Sequence, residues 1–327
     1  RSVEVDLTSE TGQALVRELA MKADVIVENF KTGNLAKYGL GYDDLKDENP
    51  KLVYCSITGF GQTGPYAARP GYDFLIQGMG GIMSLTGEAE GEPQKVGVPI
   101  ADIMSGMFAG VAVNAALRHA AVTGQGQYID IGMLDTQVAW LVNQGMNFLH
   151  SGQAERLGNA HPNIVPYQVF ETADGHIVVA VGNDTQFAKF AAIAGHPEWA
   201  DDADFKTNAG RVVNRDAVDQ MVRDALATKP AEDWITDLQG ASISCSMIYP
   251  VDQALESEQA AANEMVIEME HPTAGAFRAL GIPFEFSDTP AAVQGPPPIL
   301  GADTDAVLGD LGISEEDIKS MREDGVV

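Results

Sequence analysis

The opening stretch VEVDL alternates apolar and polar residues with period two, which predicts a strand. Ser9 and Glu10 then introduce GQALVRELAMKA, whose apolar positions recur every three or four residues and predict a helix with a capping serine. ADVIVENF and PKLVYCSITGFG follow, two nearly continuous apolar runs of strand length. Strands that alternate with helices and are apolar on both faces belong to a parallel sheet covered on both sides, so the expected fold is a doubly wound, Rossmann-like α/β domain. Residues 99–122, PIADIMSGMFAGVAVNAALRHAAV, predict a long helix with Pro99 at its start. Its glycines and alanines would allow close packing against a neighbour. GQGQYIDIGMLDTQVAWLVNQGMNFL then predicts a glycine turn, a strand and a second long helix.

The pattern changes after residue 155. RLGNAHPNIVPYQVFETADGHIVVAVGN reads as a proline-containing loop and a hairpin turned at Asp174 and Gly175. Short helical patterns fill residues 184–240, and TAGAFRALGIPFEFSDTP returns to short strands. The expected organisation is a large α/β domain over 1–155 and a smaller α+β domain over 160–285. Residues 286–327 form a proline-rich linker, PAAVQGPPPILG, and terminal helices started by Ser314 that return to the large domain.

The 327 residues, 45% hydrophobic, describe a globular chain long enough for two cores. No uncharged apolar stretch reaches the roughly 18 to 20 residues of a spanning helix, and no charged-then-apolar leader opens the chain, so a cytoplasmic protein with no membrane partner is expected. The net charge of -27 argues against nucleic acid as a partner, since that attraction comes from Lys and Arg on phosphates. Residues 1–118 hold 10 Lys and Arg against 15 Asp and Glu, and residues 119–327 hold 10 against 32, which makes the first third the less hostile place for a phosphorylated ligand. Cys55 and Cys245 stand far apart and read as buried small hydrophobes. The six histidines form no ligand-type spacing, so no metal is expected.

Asp102 is the acid that the pattern does not call for, placed among small and apolar residues. Near a helix start it has two readings: a carboxylate favoured by the dipole and the free N–H groups, or a group mobilised for chemistry. Asn29 and Phe30 follow a strand of the expected parallel sheet, where ligands of such folds bind, with Lys37 nearby. The loop TGFGQTGPYAARPGYD carries Gly59, Gly61, Gly64 and Gly71, which let backbone approach a bulky ligand; it lacks the GK[ST] of a phosphate loop.

The succession ADVIVENF, NPKLVYCSITGFGQTGPYAARPGYDFLIQGMGGIMSLTG, VPIADIMSG, GQYIDIGMLD and RLGNAHPNIVPYQVFETADGHIVVAVGND resembles the family III CoA-transferases, the CaiB/BaiF family, in order and over nearly the whole chain. EMEHPTAG and PPPILGADT are similar to members that use succinyl-CoA and dicarboxylates such as hydroxymethylglutarate or glutarate. The resemblance implies a CoA-transferase with Asp102 as catalytic nucleophile, working through aspartyl anhydride and aspartyl-CoA thioester intermediates. It also implies coenzyme A and acyl-CoA as substrates with no tightly bound cofactor, and CoA contacts at Asn29, Phe30 and Lys37. Arg69 and Tyr72 would lie near the thioester, and the main-chain N–H groups of Gly80 and Gly81 would stabilise an oxyanion. Asp135 falls too late in the pattern and reads as structural. An interlocked homodimer is implied as well.

The related α-methylacyl-CoA racemases carry a His-Asp pair where this chain has Tyr72 and Asp73. A tyrosine hydroxyl is a poor base at neutral pH, which favours transfer over racemisation. By the same resemblance the chain lacks the family's first strand, and a third reading is a CoA-binding fragment without turnover.

Overall fold

The computed structural model describes residues 1–327, which divide into two compact units. Unit 1 comprises Arg1–Thr86, Gly91–Arg156 and Pro298–Val327; unit 2 comprises Gly87–Glu90 and Leu157–Pro297.

In unit 1, helix α1 (Glu10–Lys22) starts where the Ser9 side chain accepts from the Gly12 N–H. Strand β1 (Val25–Glu28), helix α2 (Tyr42–Leu45) and strand β2 (Val53–Thr58) follow. Short helices α3 (Asp73–Met79) and α4 (Ile82–Leu85) precede the 24-residue α5 (Ile100–Thr123), strand β3 (Tyr128–Gly132), α6 (Met133–Ala139) and α7 (Val142–Ser151). The strands pair in parallel in the order β1-β2-β3, with Val25 opposite Val53 and Tyr54 opposite Tyr128. Parallel pairing requires crossovers, which α2 and α5 supply. Phe60, Ile76, Ala101 and Met133 make one core beneath the start of α5, and Ala20, Leu45, Leu52 and Tyr54 make another below α1.

Two expectations fail here. Residues 1–6 form no strand, despite their alternation, and are instead tied to the end of the chain: Asp6 N–H donates to the Val326 carbonyl at 2.8 Å and Ser2 N–H to Asp303 Oδ2 at 2.7 Å. The apolar run after β3 is two helices rather than one, because Val142 takes a φ of 42° and breaks it after Trp140. In addition α5, taken whole, is long and apolar enough to cross a membrane by length and composition, although Asp102 and Arg118 sit within it. Ala101, Ala109, Ala116 and Ala120 of α5 are buried, whereas Gly106 and Gly110 face open space and Met107 and Val111 are exposed.

Unit 2 is built on an antiparallel sheet of β4 (Tyr167–Glu171), β5 (His176–Ala180) and β6 (Ser244–Met247), with α8 (Asp184–Ile193), α9 (Asn208–Val213), α10 (Arg215–Leu226) and α11 (Ala231–Gly240) around it. Phe170, Phe187, Phe190 and Trp234 fill its core, and the Trp234 indole N–H donates to the Leu226 carbonyl at 2.8 Å. The fully buried Arg211 guanidinium donates to the Val165 and Phe205 carbonyls and to Asp184. Helices α12 (Val251–Leu255) and α13 (Glu258–Ala262) and the hairpin of β7 (Val266–His271) with β8 (Gly275–Leu280) complete the unit. The chain ends in unit 1 with α14 (Thr304–Leu311) and α15 (Glu315–Glu323), whose Leu308 and Ile318 pack on Leu15 of α1.

Candidate active site

The site assembles at the start of α5. Asp102 is an exposed residue in the first turn of that helix, whose N-cap residue, Pro99, makes no side-chain bond to it. The helix start is held instead by Asp73, so the capping role that a helix-start acid suggests is not the one Asp102 plays. Partial burial first and the neighbouring Asp73 second push the Asp102 carboxyl above the ordinary carboxylate range. These effects oppose the helix dipole, which on its own would lower it.

Asp73 opens α3 directly after the glycine loop. Its Oδ1 accepts from the Ala101 N–H at 2.8 Å and its Oδ2 from the Gln77 Nε2 at 2.7 Å. One carboxylate thus joins the end of the glycine loop to the residue before Asp102. Tyr72, at the N-cap of α3, is 75% exposed and so available to a ligand. Arg69 is exposed, with its guanidinium 3.9 Å from the centroid of the Tyr66 ring. The loop is closed by contact between glycines, and Gln62 N–H donates to Asp130 Oδ2 at 2.9 Å.

Gly80 and Gly81 follow α3. The Gly80 N–H donates to the Ile76 carbonyl at 2.7 Å, so in this arrangement it is engaged within the protein rather than free for an oxyanion. Gly81 has a φ of 87° and starts α4. A Cβ on Gly80 would lie 2.3 Å from Cγ of Gln137, so only glycine fits there. Gln137 is buried and its Nε2 has no partner. Asp135 lies against Gly132 at the start of α6, consistent with a structural role.

Asn29 and Phe30 are exposed just beyond β1, and the Phe30 N–H donates to Glu28. Thr32 Oγ1 donates to the Ala67 carbonyl at 2.9 Å, which brings this loop alongside the glycine loop. Lys37 sits on a short 3-10 turn, Leu35–Tyr38, with its Nζ 3.5 Å from Asn34 Oδ1, and nothing ties it to Asp102. Beside it a cleft of about 540 Å³ is lined by Glu28, Lys31, Tyr42, Asp43, Asp44 and Tyr128 among others. Three carboxylates against one ammonium make it a poor seat for a polyanion. No group of three or more His, Cys, Asp or Glu side chains is placed to hold a metal ion.

Gln77, Asp130 and Gln137 were not singled out from the sequence, and Asp73 only as the neighbour of Tyr72. The signal for Asp73 with Gln77 was present, a polar pair four residues apart on a short helix whose other residues are small or apolar.

A profile of CoA-transferase family III matches residues 1–304. The chain is 44% identical to the succinate–glutarate CoA-transferase of Agrobacterium fabrum, over 95% of this chain and 78% of that protein. It is 37% identical to the succinyl-CoA:glutarate CoA-transferase of Homo sapiens, over 95% of this chain and 71% of that one. Among solved structures, a CaiB/BaiF family protein from Brucella suis matches with a TM-score of 0.80 and 44% identity, covering 95% of this chain and 81% of its own.

Proposed function

This chain belongs to CoA-transferase family III, an enzyme family that moves CoA from an acyl-CoA to a carboxylic acid, and we propose that Asp102 carries the CoA between succinyl-CoA and glutarate. The observation that carries the residue assignment is the exposed Asp102 at the start of α5, where the Asp73 carboxylate accepts from the Ala101 N–H and ties the helix start to the loop that bears Tyr72 and Arg69. The substrate pair rests on the names of the relatives at 44% and 37% identity.

The Asp102 carboxylate attacks the succinyl-CoA carbonyl, breaks the C–S bond and gives an acyl-aspartyl anhydride with CoA thiolate. The thiolate attacks the Asp102 carbonyl, forms an aspartyl-CoA thioester and releases succinate. Glutarate then attacks that thioester and expels CoA thiolate, which attacks the glutaryl carbonyl and frees Asp102. Only the ionised Asp102 carboxylate attacks, and partial burial with the Asp73 charge beside it holds its pKa above the ordinary carboxylate range. The Gly81 N–H is the donor for the developing oxyanion, and Asn29, Phe30 and Lys37 bind the CoA moiety. Arg69 and Tyr72 lie near the thioester. The enzyme works as a homodimer, a reading supported by the apolar face of α5, where Ile103, Met107, Phe108 and Val111 are exposed.

The test is CoA transfer from succinyl-CoA to glutarate by the wild type and by Asp102→Asn. Loss of transfer in a folded variant supports the proposal. Retained transfer refutes it.

A further inference from the structure

Gln77 is fully buried on α3, next to the equally buried Ile76. Its Nε2 donates to Asp73 Oδ2 at 2.7 Å and its Oε1 accepts from the Val96 N–H at 2.9 Å. The amide orientation is fixed by chemistry, because a carboxylate only accepts and a backbone N–H only donates. Asp73 in turn accepts from the Ala101 N–H at 2.8 Å. Two side chains one helical turn apart therefore hold both ends of the segment 96–101 that leads into α5 and delivers Asp102. Pro99 lies inside that segment and provides no N–H of its own, so the segment has few other ways to be held.

We propose that Gln77 is a positioning residue for Asp102, fixing the start of α5 by donating to Asp73 while accepting from Val96. This rests on the reading of Asp102 as the nucleophile. Gln77 touches neither substrate nor the reacting atoms. Its effect is on where the carboxylate points, and displacement of a reacting group by about 1 Å costs on the order of 100-fold in rate.

The bond polarities supply a test that separates positioning from bulk stability. Gln77→Glu sets two carboxylates against each other. Asp73→Asn sets two amide N–H groups against each other, or against the Val96 N–H if Gln77 flips. Combining the two substitutions restores every bond with its direction reversed between the side chains. The amide then at position 73 donates to the carboxylate then at position 77, and its oxygen accepts from the Ala101 N–H. The carboxylate at position 77 keeps a second oxygen to accept from the Val96 N–H.

Transfer from succinyl-CoA to glutarate is measured for both single variants, the double variant and Asp102→Asn, well below the Tm of each. The expectation is that each single variant loses about 10- to 100-fold in kcat with KM within about threefold, and that the double variant recovers to within about threefold of wild type. If a single variant does not fold, the double variant decides by the same criterion. Singles with wild-type kcat per folded molecule, or a double variant no better than the worse single, overturn the proposal while an inactive Asp102→Asn leaves the nucleophile in place. Full activity in Asp102→Asn overturns the nucleophile, and this inference with it.

Discussion

Gly59 and Gly71 touch across the base of the glycine loop: a Cβ on Gly71 would fall 2.2 Å from the Gly59 Cα, and one on Gly59 would fall 2.5 Å from the Gly71 Cα. The contact closes a loop that starts at the end of β2 and ends beside Tyr72 and Asp73, so it fixes where those residues emerge. Alanine at either position forces the two backbones apart. Gly71→Ala is expected to destabilise the fold by about 1–3 kcal/mol, seen in a denaturant titration, and to lower transfer activity in the molecules that remain folded. Unchanged stability would show that the loop yields without cost.

The rate of the wild type should depend on the ionisation of Asp102. Its carboxyl is held above the ordinary carboxylate value, by partial burial first and by the Asp73 charge second, and only the ionised form attacks. Activity therefore rises with pH through a midpoint above that of an ordinary aspartate. Asp73→Asn removes the second cause, so the acid limb of kcat/KM should move to lower pH even as the rate falls. A limb that stays in place, or moves up, contradicts the assignment of that limb to Asp102.

In unit 2, Arg211 makes three hydrogen bonds from a fully buried guanidinium, two to carbonyls and one to Asp184 at 2.9 Å, and lies over the Phe187 ring. Burial lowers its pKa while Asp184 raises it. Arg211→Leu removes the donor and leaves buried acceptors unpaired, with an expected cost of about 3–5 kcal/mol. Asp184 is 54% exposed and asparagine keeps an oxygen to accept from Arg211, so Asp184→Asn should cost less than Arg211→Leu. Calorimetric or denaturant unfolding of both variants checks the order; equal effects would count against it.

These elements show how far the sequence reaches. The runs VIVE, VYCSIT and YIDIG were legible as strands from their short, mostly apolar, β-branched character, although only VYCSIT is buried and the strands on either side of it are partly exposed; α5 was legible because no proline from Ile100 to Thr123 interrupts a helix. VEVDL misled because alternation states only that one face is drier; without a neighbouring strand this stretch and its flanks bond instead to Asp303 and Val326, some 300 residues away. The break at Val142 has no periodic signature, since apolar residues continue on both sides. Of the candidate site, Asp102 stood out in the sequence by its company, and Tyr72 and Arg69 by the family pattern, as proposals. The bonding of Asp73 to Ala101 was not, because 28 residues separate them. Nor was the engagement of the Gly80 N–H, which depends on how α3 ends.

The tyrosines of the first unit offer a smaller check. Tyr54 donates its hydroxyl to the Leu40 carbonyl at 3.0 Å and packs against Tyr42 and Tyr128, and burial raises its pKa. Tyr54→Phe should cost about 1 kcal/mol in stability and leave transfer unaffected, because this cluster has no bond to the Asp102 helix start. A large loss of activity at unchanged stability would tie the tyrosine cleft to substrate.

The most direct measurement is mass spectrometry of the enzyme quenched during turnover with succinyl-CoA, followed by proteolysis. The expected result is a peptide spanning Asp102 that carries CoA in thioester linkage, is discharged on adding glutarate and is absent in Asp102→Asn. A CoA adduct on another residue, or the same adduct in Asp102→Asn, would contradict Asp102 as the residue that carries CoA.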